Sequence, residues 1–335
     1  MPVFSRELGI DLGTLNTAVA EGNQILLQEP TVVPIIVEEQ KMVEWGQAAK
    51  DMMGRVPDSI EVVRPLQHGV IAEYEITENL LGFLIKKVTG AMLIFRPRII
   101  ITMPYGVTSV ESRAVHEAGL GAGSRDVYLI QQPLAAALGV DLPISTPSGN
   151  MIICLGGGTS QVAVLAMNGV VTAETSRTAG LKLDDAIIGY VRKKYGVIIG
   201  QPTAEMLKIR IGAAVPQDQQ QTLEVQGQDQ VSGLPRPVTL TSDDIVEALQ
   251  DPLNEIANTA RRVLEKTPPE LISDIIDRGV ALCGGTALLR GVDKYLTKNL
   301  GIPAYLVDEP TTCTALGAAK ALSMRDALKR SLITA

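Results

Sequence analysis

Aromatic residues, histidine and cysteine are scarce in this chain of 335 residues. Phe, Trp and Tyr together make up 3%, and there are two histidines and three cysteines. Cys154, Cys283 and Cys313 lie far apart in sequence and form no CxxC spacing. With only His68 and His116 to join them, a disulfide scaffold or a zinc site is not expected, and a reducing, cytoplasmic setting is the default. Positive charge is also in deficit, 30 Lys and Arg against 37 Asp and Glu, for a net charge of −7. Without a basic face or stacking aromatics, nucleic acid is not an expected partner. No apolar run approaches the roughly 18 residues of a membrane span, so the chain is expected not to cross a bilayer, though it could lie on one. The start, "MPVFSRELGIDLG", enters a strand pattern directly and lacks the apolar stretch of a secretion signal.

What is present is a globular profile, 46% hydrophobic and 20% charged residues, in a length that accommodates two average domains. Two stretches share one plan. "GIDLGTLNTAVA" (9–20) has an apolar strand, Asp11, a tight turn at Gly13-Thr14, and a second strand. "IICLGGGTSQVAVL" (152–165) repeats it, with Cys154 where the first has Asp11. A repeat at this distance implies a duplicated domain, since solenoid periods are only about 20–50 residues. Asn168-Gly169 reads as a hairpin turn with the glycine at positive φ. "RIIITMP" (98–104) and "GVALCGG" (279–285) read as central strands.

Helical periodicity is legible over Ile76, Leu80, Leu81, Leu84, Ile85 and Val88, and again from Val246 to Leu264, ended by Pro268-Pro269. "TALGAAKAL" (314–322) is a small-residue helix suited to close packing on a sheet. The polar segment 214–238 reads as an exposed excursion that could form a hairpin. Strands and helices mixed throughout indicate an α/β protein.

Glycine turns after strands expose backbone N–H groups that attract anions. Gly13, Thr14, Leu15 and Asn16 form one candidate loop, and Gly156, Gly157, Gly158 and Thr159 form another. Alone, each reads as an ordinary hairpin turn; duplicated, they could clamp a polyphosphate from both sides. There is no GxxxxGK[ST], and "LGGGTS" leads into a strand, unlike a dinucleotide-binding turn. A third turn, "LCGGTALLRG" (282–291), could carry a base or sugar. Glu205 and Lys208 share a helix face and could equally be a solvated ion pair.

The segments "GIDLGTLNT", "RPLQHGVIAEYEITE", "LIQQPLAAALG", "CLGGGTSQVAV", "TAEMLKIRIG" and "EKTPPELISDIIDRGVALCGGTALLRG" together resemble the bacterial actin family MreB over nearly the whole chain. The resemblance implies a duplicated, ribonuclease-H-like actin fold of two lobes, each with a βββαβα core and a smaller inserted subdomain. Lobe I would comprise 1–32, 70–148 and 315–335, with 33–69 as its small subdomain. Lobe II would comprise 149–181 and 250–314, with 182–249 as its small subdomain. It also implies ATP and magnesium between the lobes, and self-assembly into filaments under the inner membrane that guide cell-wall elongation.

By the same resemblance, Asp11 would organise a magnesium-bound water. Gly13, Thr14, Leu15 and Asn16 would hold phosphates from one lobe, and Gly156, Gly157, Gly158 and Thr159 from the other. Glu205 and Lys208 would meet ribose and adenine, and Gly284 and Gly285 would flank the adenosine. Met92, Leu93, Ile94 and Phe95, flanked by Arg96 and Arg98, would enter the membrane. As a bare pattern this stretch also reads as a buried strand entrance.

Departures from the family pattern cluster at the chemistry. "DIGGGT" is "CLGGGT" here, putting the soft, mostly protonated thiol of Cys154 where a carboxylate serves magnesium. "EEP" is "QQP", so Gln132 replaces the glutamate that prepares water; it can position water but not take its proton. "AGDE" is "AGLK", so Leu181 replaces an acid, and Lys182 either neutralises phosphate or points to solvent. The expectation is ATP binding with weak or absent hydrolysis, magnesium being weakened. Alternatives are a nonfilamentous partner of another MreB and a kinase of the same superfamily.

Overall fold

The computed structural model describes residues 6–39, 41–90 and 96–333. Two five-stranded sheets share one build. In the first, Glu7–Leu12, Asn16–Glu21 and Gln24–Pro30 form an antiparallel meander. Arg98–Met103 and Asp126–Gln131 then add in parallel on the other side of Glu7–Leu12. In the second, Asn150–Leu155, Ser160–Ala166 and Gly169–Ser176 form the meander, and Val280–Cys283 and Ala304–Leu306 add in parallel. Parallel neighbours need crossover connections, supplied by helices Tyr74–Thr89 and Ser109–Gly121 in one half and Ser242–Glu265 and Val292–Leu300 in the other. Each half contains the expected βββαβα core and continues by one more strand and helix. Two small three-stranded sheets (41–42, 33–36, 60–63 and 197–198, 222–229, 235–241) stand beside them.

The apolar patterns account for these elements. Ile99, Ile100 and Ile101 are buried on both faces of the sheet, as are Met151 to Leu155. Ile76, Leu80, Leu81, Leu84 and Ile85 face the first sheet's core. Helix Ser242–Glu265 starts on a capping box from Thr241 and Asp244 and stops before the two prolines, which begin a further helix, Pro269–Arg278, not foreseen from the pattern. The excursion at 214–238 is largely the exposed hairpin of Thr222–Asp229 and Pro235–Thr241. The turn at 167–168 differs from expectation: Met167 (φ 51) and Asn168 (φ 59) take the left-handed conformations, while Gly169 already pairs with Ala166. A two-residue turn between twisted strands needs positive φ at both central residues, and those are Met167 and Asn168.

The halves are joined by the helices that end each of them, Gln132–Gly139 and Cys313–Ser323. A Cβ on Gly317 would strike the Ala135 carbonyl, and one on Gly139 the Cys313 carbonyl. The second helix continues onto the other half's sheet, where a Cβ on Gly9 would strike the Ala319 backbone. Ile152, Ala163 and Ala281 of the second sheet join the helices' alanines in a shared core. This small-residue crossing makes one body of two lobes and leaves a cleft above it. Among the described residues no helix is long and apolar enough to cross a membrane.

Candidate nucleotide cleft

One cleft of about 310 Å³ between the lobes is lined by Asp11, Gly13, Thr14, Leu15, Asn16, Gln132, Cys154, Gly156, Gly157, Gly158, Thr159, Glu205, Lys208, Gly284 and Gly285. Residues dispersed over more than 270 positions thus meet in one place. The two glycine loops face each other in contact. A side chain on Gly157 would run into Leu15, and one on Gly158 into Thr14. Gly13 is required because a Cβ there would strike the Asn16 carbonyl. The second loop's carbonyls are tied back: Gly180 N–H donates to Gly156 O (3.1 Å), Leu181 N–H to Gly157 O (2.9 Å) and Thr286 Oγ1 to Gly156 O (2.8 Å). Among the described residues, no protein acceptor is found for the N–H groups of Thr14, Leu15, Gly157 and Gly158. Such a double row of free donors is a site for a polyanion.

The His68-Gly69 turn, not foreseen as part of the site, reaches over both loops. Gly69 N–H donates to Thr14 Oγ1 (2.8 Å), and His68 Nδ1 lies 3.2 Å from Gly158 O. Its sequence signal is the His-Gly pair between the short strands Leu66–Gln67 and Val70–Ile71, and in the structure His68 takes φ 50.

On the floor, Asp11 is the acid of the phosphate end. Thr102 Oγ1 (2.6 Å) and Gln132 Nε2 (3.1 Å) both donate to its Oδ1. Gln161, also unforeseen, donates from Nε2 to Gln132 Oε1 and accepts from Tyr105 N–H at 2.9 Å. A chain of two side-chain amides therefore ends on one carboxylate. Burial pushes the Asp11 carboxyl above its ordinary range, and the Thr102 and Gln132 donors pull against that. An amide is no proton acceptor at neutral pH, so this chain can orient water but cannot deprotonate it.

The donor set fits magnesium in a limited way. Among the described residues no group of His, Cys, Asp and Glu is arranged to hold a metal ion alone. Magnesium, however, is commonly held by one carboxylate, several waters and substrate phosphates. Asp11 supplies that carboxylate, and the thiol of Cys154 supplies no hard oxygen.

Lys182 turns to solvent, pairing with Asp185 at 3.4 Å, both side chains 56% exposed. Leu181 lies outside the cleft lining and joins it only through its backbone. Glu205 and Lys208 are not each other's partners. Lys208 Nζ donates to Gly180 O (2.9 Å) and lies 2.6 Å from the nearly buried Asp184, an ionic contact. Burial raises the Asp184 carboxyl to about 6 despite that ammonium. Glu205 bonds Lys50 across the mouth of the cleft (2.9 Å), beside Arg64 to Gln201 (3.1 Å). Gly284 (φ 90) leaves no space for a Cβ against the Leu155 carbonyl. Beside Gly285, a slot of about 240 Å³ adjoins the cleft, with Ile209 and Leu288 as its exposed apolar walls. A flat base would fit such a surface.

The cysteines, distant in sequence, are neighbours in space. All three are free, and Cys283 Sγ lies 3.3 Å from Cys154 Sγ. Residues 92–95 lie outside the described residues. Arg98, which follows that stretch, pairs with Glu7 (2.7 Å) and Asp126 (3.1 Å) at the sheet end.

Residues 5–330 match the family described as MreB/Mbl protein. The chain is 45% identical over 330 residues to the cell shape-determining protein MreB of Escherichia coli K12, covering 97% of this chain and 95% of that protein. It is 41% identical over 332 residues to the cell shape-determining protein Mbl of Bacillus subtilis, covering 98% and 100%. In structure it is similar to MreB5 of Spiroplasma citri bound to AMPPNP, with a TM-score of 0.92 at 30% identity, over 98% of this chain and 99% of that one. The MamK double helical filament, at 19% identity and a TM-score of 0.80, shares the fold. This two-lobed, duplicated chain belongs to the MreB/Mbl family of actin-like proteins.

Proposed function

We propose that this chain binds ATP in the cleft and assembles with copies of itself into filaments that contribute to cell shape, hydrolysing the nucleotide weakly or not at all. The facing glycine loops with their free N–H groups are the observation that carries the binding. The relatives named as cell shape-determining proteins, and the MreB5 structures with AMPPNP and ADP, support it. Magnesium, when bound, would neutralise phosphate charge, and Asp11 is the carboxylate that would hold it; Gln132 would orient the attacking water without taking its proton. Among the described residues Asp11 is the one acid lining the cleft beside the glycine loops, Glu205 lying at its mouth, and this supports weak hydrolysis.

The working division is mechanical: lobe I as 1–32, 70–148 and 315–335 with 33–69, and lobe II as 149–181 and 250–314 with 182–249. Residues 92–95 anchor the filament peripherally on the inner membrane, and the wall-elongation machinery is its client. Titration with a fluorescent ATP analogue tests the binding, and a Gly158→Ala chain that binds as tightly as the parent contradicts it. Electron microscopy with ATP tests assembly. Straight filaments of the pure protein are expected; filaments only in the presence of a second MreB assign this chain a copolymer role instead.

A further inference from the structure

We propose that Cys154 and Cys283 form a peroxide-oxidisable thiol pair on the floor of the cleft, a modification site reached through the cleft and shielded by its occupant. The two residues are 129 positions apart in sequence but directly paired across parallel strands. Paired strands run about 4.7–4.9 Å apart, inside the Cα separations that disulfides bridge. Their sulfurs are already in contact at 3.3 Å, Cys283 donating its S–H to Cys154. Cys313 adjoins Cys283 from the start of the joining helix, but its own S–H is directed to the Pro310 carbonyl at 3.6 Å. Among the described residues the trio is not arranged to hold a metal ion.

Access sets the order of events. Cys154 retains 8% exposure, while Cys283 and Cys313 have 0% and 1%. Cys154 and Cys283 line the cleft at the phosphate end, one residue before Leu155-Gly156 and immediately before Gly284. A small oxidant such as hydrogen peroxide therefore meets Cys154 first. The Cys154 thiolate attacks one peroxide oxygen, the O–O bond breaks, and hydroxide leaves and is protonated to water. The Cys283 sulfur, losing its proton, then attacks the Cys154 sulfenic acid. The S–S bond forms and the S–O bond breaks, releasing a second water. Two thiols are oxidised by two electrons and one peroxide is reduced to two waters. A dithiol reductant reverses the bond by exchange. Burial and the Cys154 contact hold the Cys283 thiol well above its ordinary range, which makes the second step the slow one.

The shielding rests on the nucleotide reading above, whereas the pairing does not. The test treats reduced, full-length protein with hydrogen peroxide, alkylates remaining thiols after denaturation, and maps linked peptides by mass spectrometry. A Cys154–Cys283 peptide is expected in the protein alone. It should disappear in Cys154→Ser, persist in Cys313→Ser, and form several-fold more slowly with saturating ATP. All three thiols remaining alkylatable, or a link running through Cys313, overturns the pairing. Equal rates with and without ATP, when the fluorescent analogue is seen to bind, overturn the shielding. Failure of the analogue to bind sinks the nucleotide reading and leaves the linked peptide as the measure of the pairing.

Discussion

In the proposed function, Gln132 is the residue on which hydrolysis would turn. Its Nε2 lies 3.1 Å from Asp11 Oδ1, so Gln132→Glu would set a second carboxylate against the first. Two carboxylates at that distance share one proton, and one of their pKa values rises strongly. The substitution is therefore expected to restore phosphate release only as pH rises and the shared proton is lost, by about tenfold or more, a loss of about 1.4 kcal/mol of barrier. A pH profile of phosphate release checks this; a flat profile at the parental rate contradicts it. The amide chain from Gln161 was not legible in sequence, because a glutamine inside a strand carries no pattern. Its importance comes from the way the two halves meet, which sets the first residue of helix Gln132–Gly139 against strand Ser160–Ala166 of the other sheet.

At the scale of elements, helix Gln201–Ile211 presents Lys208 to Asp184, with 12% and 2% of their side chains exposed. Removing one partner of a buried pair leaves an uncompensated charge, so Lys208→Met should cost about 3–5 kcal/mol of stability. Adding Asp184→Asn should recover part of that, as chemical denaturation would show. The folded state holds the Asp184 proton up to about pH 6, while an unfolded aspartate releases it near 3.9. Between those values the folded chain binds more protons, so this group's contribution to stability declines as pH rises from about 4 to about 6 and then levels off. Asp184→Asn should flatten that portion of the stability curve.

Two helix glycines give opposite outcomes. Gly189 has open space around its Cβ position, and Gly189→Ala should stabilise by about 0.5–1 kcal/mol. Gly317→Ala places a methyl on the Ala135 carbonyl and should lower Tm or prevent folding. The small-residue run 314–322 was readable as a helix from its sequence. That its neighbour would be the helix ending the other lobe was not, since the two are brought together only by the closed fold.

For the whole molecule, both glycine loops and the duplicated sheets were legible, since strand-glycine-strand patterns are local. The cleft's mouth was not. Glu205, which lines the cleft, also reaches Lys50 of the opposite lobe, a contact set by how the lobes face each other. Lys50→Ala should therefore speed release of the fluorescent nucleotide a few-fold with little change in Tm, because half-exposed pairs contribute at most about 1 kcal/mol; an unchanged release rate contradicts a latch at the mouth. The central claim is that the cleft retains its phosphate clamps but lacks an effective acid set for hydrolysis. Phosphate release from pure protein at saturating magnesium and ATP, with binding verified in the same sample, tests it most directly. The account predicts bound nucleotide and phosphate release far below that of the Escherichia coli relative assayed alongside. Turnover matching that relative, abolished by Asp11→Ala, would contradict it.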